Sequence, residues 1–147
     1  MKFLMLIFFF LGSLTFAQTG KNINHKKNIA NSGYDVVSYF TGKPQKGSVD
    51  FSVQYQGVSY HFINKTNKTV FQQNPNKYFP QYGGYCAYAM GNDGEKVNVD
   101  PETFKIVNGK LYLFYNNFFK NTLTNWNKDE EILNKKADKN WQNTVQK

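Results

Sequence analysis

Three side chains in this sequence could together bind a soft metal ion. Cys86 and Met90 lie four positions apart, and His61 is the one histidine in the patterned part of the chain. That spacing places Cys86 and Met90 on one side of a helix or strand, and thiolate, thioether and imidazole ligands suit Cu(I). The alternative is that Cys86 is a small buried hydrophobic residue and Met90 fills space beside Tyr88. Spacing alone supports a ligand set weakly, so we favour the core interpretation, predict no cofactor, and keep copper as an alternative.

The same cysteine and histidine form a conceivable nucleophilic pair. Cys86 would attack, His61 would take its proton, and Asp35 or Asp100 would orient the imidazole. Such a set depends on proximity in space, and one cysteine with one histidine carries no catalytic signature. The sequence therefore predicts that the protein is not an enzyme.

The stretch around Cys86 is rich in tyrosine and glycine. Its candidate ligand-binding residues are Tyr82, Tyr85, Cys86 and Tyr88. Tyrosines near glycines can line a pocket, where the rings supply contact area and the hydroxyls orient the ligand. The alternative, which we favour, is that these rings form the core of a small domain. If the domain binds a ligand, we expect a pocket in this stretch with Cys86 or His61 reaching it.

Two hairpins are predicted to position these residues. Residues 51–55 and 58–62 alternate between apolar and polar side chains on either side of a Gly-containing turn. A second hairpin turns at Asn108-Gly109, the strongest two-residue turn signal. Its second strand, residues 111–115, is apolar on both faces, which predicts a central strand that is covered on both sides.

The longest predicted helix covers residues 129–145. Acidic side chains are concentrated at its start and lysines follow, which suits the helix dipole. Its apolar side chains recur at four-residue steps and form one face. They are Leu133, Ala137, Trp141 and Val145.

Shorter helices are predicted between these elements. Asn64 caps a helix that ends before Pro75, and Pro75 begins a further helical turn. Residues 100–102 (Asp-Pro-Glu) have a helix-start signature, and residues 118–126 are predicted to form a short helix. The expected fold class is α+β, with a small antiparallel sheet built from hairpins and with short helices and a C-terminal helix packed on it.

The N-terminal residues are typical of a signal peptide. Lys2 precedes an apolar run, and residues 15–17 (Thr-Phe-Ala) place small side chains before a cleavage point after Ala17. The apolar run is too short to span a membrane. Residues 18–32 are polar and without periodicity, which predicts a flexible lead-in to a single domain at 33–147. We therefore expect an exported protein, periplasmic or secreted, with no transmembrane segment after signal cleavage.

Composition argues against nucleic acid as a partner. The net charge is +8, but every basic residue is lysine and the lysines are spread along the chain. A protein that reads nucleic acid is expected to use arginine for bidentate contacts to guanine and phosphate. The expected partner is an unknown small ligand or a protein.

Several ordered motifs resemble those of the YHS domain, in its small exported bacterial type. The matching segments are Gly-Tyr-Asp-Val-Val-Ser-Tyr-Phe (33–40), Gly-Val-Ser-Tyr-His-Phe (57–62), Asn-Pro-Asn-Lys-Tyr (74–78), Pro-Gln-Tyr-Gly-Gly-Tyr-Cys-Ala-Tyr-Ala (80–89), Asp-Pro (100–101) and Asn-Gly-Lys-Leu-Tyr-Leu (108–113). The resemblance extends from about Gly33 to Trp141 and so covers most of the mature chain.

The resemblance implies the fold more firmly than a function. Metal binding has been proposed for YHS domains that carry cysteines, one of them directly after the Tyr-x-Phe segment. This chain has Ile63 at that place, with Asn64 following and Lys68 further on. The resemblance therefore implies an exported YHS domain-containing protein that acts as a non-enzymatic ligand-binding or accessory module. The alternatives are a copper-binding protein that uses Cys86, Met90 and His61, and a protein–protein interaction module.

Overall fold

The structure, a computed structural model, describes residues 20–147. The predicted signal peptide, residues 1–17, lies outside the described residues. In the part of the chain that is described, no helix is both long enough and apolar enough to cross a bilayer.

The segment predicted as a flexible lead-in, residues 18–32, belongs to the fold over the part that is described. Strand β1 (His25–Lys26) pairs with strand β2 (Ile29–Ala30), and β2 also pairs with Ser59 much later in the chain. Ile23 and the alanine of β2 are buried in the core. The prediction of flexibility was wrong because these contacts depend on residues that are distant in the sequence.

The first predicted hairpin is confirmed as strands β3 (Ser48–Tyr55) and β4 (Val58–Phe62). The sheet has the order β1-β2-β4-β3, and its pairs are antiparallel except for β2 with β4. The alternating apolar residues of β4 are buried on one face, as period-two patterning requires.

Two helices cover that apolar face. Helix α1 (Lys65–Gln73) begins at Asn64, whose side-chain oxygen accepts a hydrogen bond from the Asn67 amide at 2.8 Å. It contributes the buried ring of Phe71 and is followed directly by helix α2 (Pro75–Tyr78). The predicted cap and the predicted proline start are both confirmed.

The second half of the chain surrounds a second hairpin. A turn of 3-10 helix (Gln81–Gly84) leads into helix α3 (Ala87–Asn92), and strands β5 (Asp100–Val107) and β6 (Lys110–Phe114) follow. Leucine, tyrosine and phenylalanine side chains on both faces of β6 are buried. Pro80 and Cys86 form isolated bridges to the edge of β6 that β5 leaves open. The prediction that this strand is covered on both faces is confirmed, but β6 is not a central strand: among the described residues it pairs with β5 in a two-stranded sheet and has only these bridges on its other edge.

Residues 100–102 belong to strand β5, so the predicted helix start there was wrong. The Asp100 carboxylate accepts hydrogen bonds from the Glu102 amide at 3.0 Å and from the Thr103 hydroxyl at 2.7 Å. The pairing of β5 with β6 shifts register between Asp100 and Phe104. An aspartate side chain that accepts a hydrogen bond from the backbone amide two residues later can begin a helix. In another context the same contact stabilises an irregularity in a strand.

Two helices close the second core. Helix α4 (Thr122–Trp126) is shorter than predicted and begins after Asn121, whose side chain accepts from the Leu123 amide. Helix α5 (Glu130–Val145) agrees with the predicted C-terminal helix and packs on α3. The α+β fold class is confirmed, with antiparallel hairpins, short helices and a C-terminal helix packed on them.

Candidate functional site

The turn at residues 81–84 has an unusual backbone. Tyr82, Gly83 and Gly84 all have left-handed φ angles, of 55°, 63° and 83°. Tyrosine rarely adopts this conformation, because its β-carbon crowds the backbone. The surrounding contacts must therefore hold the turn in place.

The N-terminal segment supplies those contacts. The Asn24 amide donates to the Gly83 carbonyl at 2.7 Å, and the Asn24 side chain donates to the Gly84 carbonyl at 3.0 Å. A β-carbon at Gly83 would overlap the carbonyl oxygen of Asn22. Glycine is thus required at this position by both its φ angle and the close approach of a second chain segment.

Helix α5 holds the tyrosine of the turn from the other side. The Tyr82 hydroxyl donates to the Asp138 carboxylate at 2.9 Å and accepts from the Asn134 amide at 3.2 Å. Burial of the ring, with the hydrogen bond to Asp138, raises the pKa of Tyr82 above its ordinary value. The hydroxyl is therefore a protonated donor at neutral pH.

An open cleft of about 830 Å³ lies where these three segments meet. Its walls are the N-terminal segment, the turn with the residues just before it, and one face of helix α5. The ring of Trp141 lines the cleft and meets the Tyr82 ring edge-on, with 6.3 Å between the ring centroids. The cleft is within the size range of ligand-binding sites, about 300–1,000 Å³.

A lysine lies beside this cleft. The Lys96 ammonium is 5.5 Å from the centroid of the Tyr85 ring and 5.9 Å from that of Trp141. It also donates to the Lys21 carbonyl at 3.3 Å and to the Asn22 side chain at 3.0 Å. Partial burial and the nearby Lys21 ammonium lower the pKa of Lys96. Lys96 thus joins the N-terminal segment to the aromatic side of the cleft.

Only one of the four predicted ligand-binding residues, Tyr82, lines the cleft. The hydroxyl of Tyr85 donates to the Ile23 carbonyl at 3.5 Å, behind the cleft wall. Tyr88 is half-buried and packs against the second core. Cys86 follows the turn and lies beneath it, against β6.

Cys86 is fully buried, with 0% of its side chain exposed. Its sulfur accepts a hydrogen bond from the Tyr115 amide at 3.3 Å and lies 3.4 Å from the Thr122 hydroxyl. A buried thiol that is hydrogen-bonded in this way joins β6 to the start of α4. These contacts are those of a structural cysteine, as the core interpretation predicted.

The candidate copper ligands lie in two different parts of the fold: Cys86 at the start of helix α3 and Met90 within it, and His61 on strand β4. Met90 is buried in the second core, whereas His61 belongs to the first sheet, where it pairs with Ser52 and lies beside Gly33. Within residues 20–147, no hydrogen bond joins His61 to Cys86, and no group of three or more histidine, cysteine, aspartate or glutamate side chains is placed to hold a metal ion. Cys86 and His61, the nucleophilic pair considered from the sequence, therefore belong to different elements, and the Cys86 sulfur is hydrogen-bonded to other groups.

Sequence reasoning missed two walls of the cleft. The spacing of Trp141 and Val145 predicted a core face for α5; Trp141 does pack against the second core, but both side chains also line the cleft at the end of the helix. Residues 20–23 were assigned to a flexible segment. A tryptophan near the C-terminal end of an amphipathic helix is the sequence signal that could have indicated an accessible aromatic surface.

We expect the Cys86 thiol to react slowly with a thiol reagent in the native protein. Labelling with an aromatic disulfide should be about a thousandfold slower than in denaturant, because reaction requires opening of the second core. The measurement is the time course of labelling followed by mass spectrometry. Fast labelling without denaturant would contradict the buried hydrogen-bonded thiol described above.

Two of the YHS-like motifs form strand β4 and the turn beside the cleft. Residues 57–62 include the whole of β4, and residues 80–89 include the turn and the start of α3. In comparisons with known proteins, no family model, no curated protein and no solved structure matches the chain. Membership of the YHS family therefore stays a prediction that rests on the motifs of the sequence itself.

Proposed function

We propose that this chain is an exported YHS-like domain that binds a small polar ligand and does not catalyse a reaction. The observation that carries the proposal is the open cleft of about 830 Å³ between the N-terminal segment, the Gln81–Gly84 turn and helix α5. Residues from three distant parts of the chain converge there, and the left-handed backbone of Tyr82 is maintained at its edge. Backbone strain of this kind is often retained at binding sites.

The lining of the cleft favours a ligand with many hydroxyl groups, such as a short oligosaccharide. The Trp141 ring offers an apolar face on which a sugar ring can stack. Primary amides both donate and accept hydrogen bonds, as hydroxyl groups do. Five amide side chains line the cleft: Asn22, Gln56, Asn76, Gln81 and Gln142.

The charges of the lining support binding without hydrolysis. Of the described residues that line the cleft, Asp138 is the one carboxylate, and it already accepts the Tyr82 hydroxyl. Glycoside hydrolysis normally needs two carboxyl groups on opposite sides of the bond. Cys86 lies beneath the turn and His61 in the first sheet, so neither lines the cleft.

We expect a neutral trisaccharide, tested as a panel of chitotriose, cellotriose and maltotriose, to bind the folded protein and change its tryptophan fluorescence. Trp126 is buried in the core, so a change on binding would report Trp141. Replacing Trp141 by alanine should weaken binding by about tenfold or more, because an aromatic anchor is lost. Titration calorimetry measures the affinity.

Two neighbouring residues of helix α5 provide a matched control. Gln142→Ala removes an amide that lines the cleft, whereas Asn143→Ala removes an exposed amide that does not. Gln142→Ala should weaken binding severalfold and Asn143→Ala should leave it unchanged, with no change in thermal stability for either. Equal affinities for the two variants, or no binding of any trisaccharide at millimolar concentration, would overturn the proposed ligand class.

A further inference from the structure

Residues 116–121, here called the Phe turn, form an exposed, internally hydrogen-bonded turn between β6 and α4. Its two ends pair as an antiparallel bridge between Asn116 and Asn121. The Asn117 side chain accepts hydrogen bonds from the amides of Phe119, at 3.0 Å, and Lys120, at 2.8 Å. The Asn117 backbone amide donates a hydrogen bond to the Lys120 carbonyl at 3.0 Å. The turn is therefore ordered by its own contacts, and a partner need not order it on binding.

The Phe turn displays two aromatic rings to solvent. Phe118 is 94% exposed and Phe119 is 90% exposed, and the rings meet edge-on with 5.1 Å between centroids. A single exposed hydrophobic residue needs no explanation, but two adjacent and almost fully exposed phenylalanines on an ordered turn do. Nothing in the described fold covers them.

The apolar area of the Phe turn is too small for a protein interface of ordinary size. Two phenylalanine rings bury roughly 300–500 Å² at most, whereas a stable interface buries about 800 Å² on each partner. Asparagines and Lys120 surround the rings, and the other large exposed hydrophobic side chains of the described residues lie on β3 and α5. A small apolar tip with a polar rim suits shallow insertion into the surface of a lipid bilayer better than docking on a folded protein.

We propose that the Phe turn anchors this protein reversibly to an anionic lipid bilayer. Phe118 and Phe119 enter the interfacial region, and the Lys120 ammonium stays among the headgroup phosphates. The basic charge of the chain, +8 for the full sequence and +7 without Lys2 of the predicted signal peptide, complements such a surface. The nearest carboxylate that contacts the turn, Asp100, lies at its base and not at its tip, and it accepts hydrogen bonds from Thr103 and Asn116. Two inserted rings and a few lysines give weak, reversible binding of the kind that a single lipid chain gives.

Vesicle flotation of residues 18–147 tests the proposal, with vesicles of phosphatidylethanolamine containing about 30% phosphatidylglycerol and with neutral phosphatidylcholine vesicles. We expect binding to the anionic vesicles, little binding to the neutral ones, and release at high salt. The double variant Phe118→Ser/Phe119→Ser should bind the anionic vesicles at least about tenfold more weakly than the unchanged protein. Lys120→Gln should weaken binding severalfold, because one headgroup contact is lost.

The matched control is Ile132→Ser, which removes a 57% exposed apolar side chain on helix α5. It should bind vesicles as the unchanged protein does, and thermal unfolding should show that every variant is folded. Phe119→Trp provides a direct readout, since its emission should shift to shorter wavelength when the ring enters lipid. Unchanged vesicle binding by the double variant would overturn the proposal. So would self-association that depends on Phe118 and Phe119 in the absence of vesicle binding.

Discussion

Replacing Asp35 by alanine is expected to lower the free energy of unfolding by about 4 kcal/mol, close to the whole stability of a marginal domain. The Asp35 side chain is fully buried. One carboxylate oxygen accepts hydrogen bonds from the backbone amides of Val37, at 2.8 Å, and Ser38, at 3.3 Å. The other oxygen accepts hydrogen bonds from the Ile63 backbone amide, at 3.0 Å, and from the Asn67 side-chain amide, at 2.7 Å.

The large effect follows from what these donors belong to. Asp35 joins a 3-10 helix (Ser38–Thr41), the end of β4 and the first turn of α1. Without the carboxylate, several donors are left buried or half-buried without a partner, and each such donor costs about 1–3 kcal/mol. The measurement is urea unfolding followed by tryptophan fluorescence.

Two further variants separate this network from the loss of a negative charge. Asp50→Ala removes an exposed aspartate that contacts Ser48, so it should change stability by less than about 0.5 kcal/mol. Asp35→Asn retains one acceptor oxygen and places an amide against two donors, so its cost should be intermediate. A loss below about 1 kcal/mol for Asp35→Ala would show that the three elements hold together without the carboxylate.

The role of Asp35 shows where sequence reasoning reaches its limit. The residue was considered from the sequence as a partner for His61, because carboxylates orient imidazoles in catalytic sites. Its actual partners are backbone amides and Asn67, which the sequence cannot bring together before the fold is known. By contrast, the Asn64 cap and the hairpin turn at Asn108-Gly109 were predicted correctly, because their signals lie within a few residues of one another.

The N-terminal segment illustrates the same limit. Residues 18–32 have a polar composition that is typical of a flexible chain, and nothing in their own sequence predicts burial. Ile23 is buried because the first core accepts it, and the segment is held by hydrogen bonds to Ser59 and to the Gly83 carbonyl. Long-range pairing of this kind leaves little periodic signal in a short strand.

The candidate site was located in part. The tyrosine- and glycine-rich stretch was the candidate pocket in the sequence, and one of its four candidate residues, Tyr82, lines the cleft. Trp141 and Asp138 were missed because helical periodicity reports which face is apolar but not where the apolar face extends beyond the core. Neither Cys86 nor His61, the two residues expected to reach a ligand pocket, lines the cleft.

Replacing Gly83 by alanine is expected to detach the N-terminal segment and to lower the free energy of unfolding by about 3 kcal/mol. The new β-carbon would overlap the Asn22 carbonyl oxygen and would come within 3.0 Å of the Trp141 ring. The Asn22 carbonyl belongs to the backbone and cannot rotate away as a flexible side chain can, so residues 20–24 must move away from the turn. The hydrogen bond from the Asn24 amide to the Gly83 carbonyl should then be lost. Since this segment forms one wall of the cleft, binding of the proposed ligand should be lost with it.

Gly42→Ala is the matched control for backbone strain. Gly42 also has a left-handed φ, of 78°, but a β-carbon there would meet nothing within 4 Å. Its cost should be about 1 kcal/mol, because strain is added without a clash. Hydrogen exchange distinguishes the two variants: the Asn24 amide should lose protection in Gly83→Ala and keep it in Gly42→Ala. If both variants lose the same stability and Asn24 stays protected in each, the N-terminal segment does not depend on the close approach at Gly83, and the wall of the cleft must be held by Lys96 and the first sheet instead.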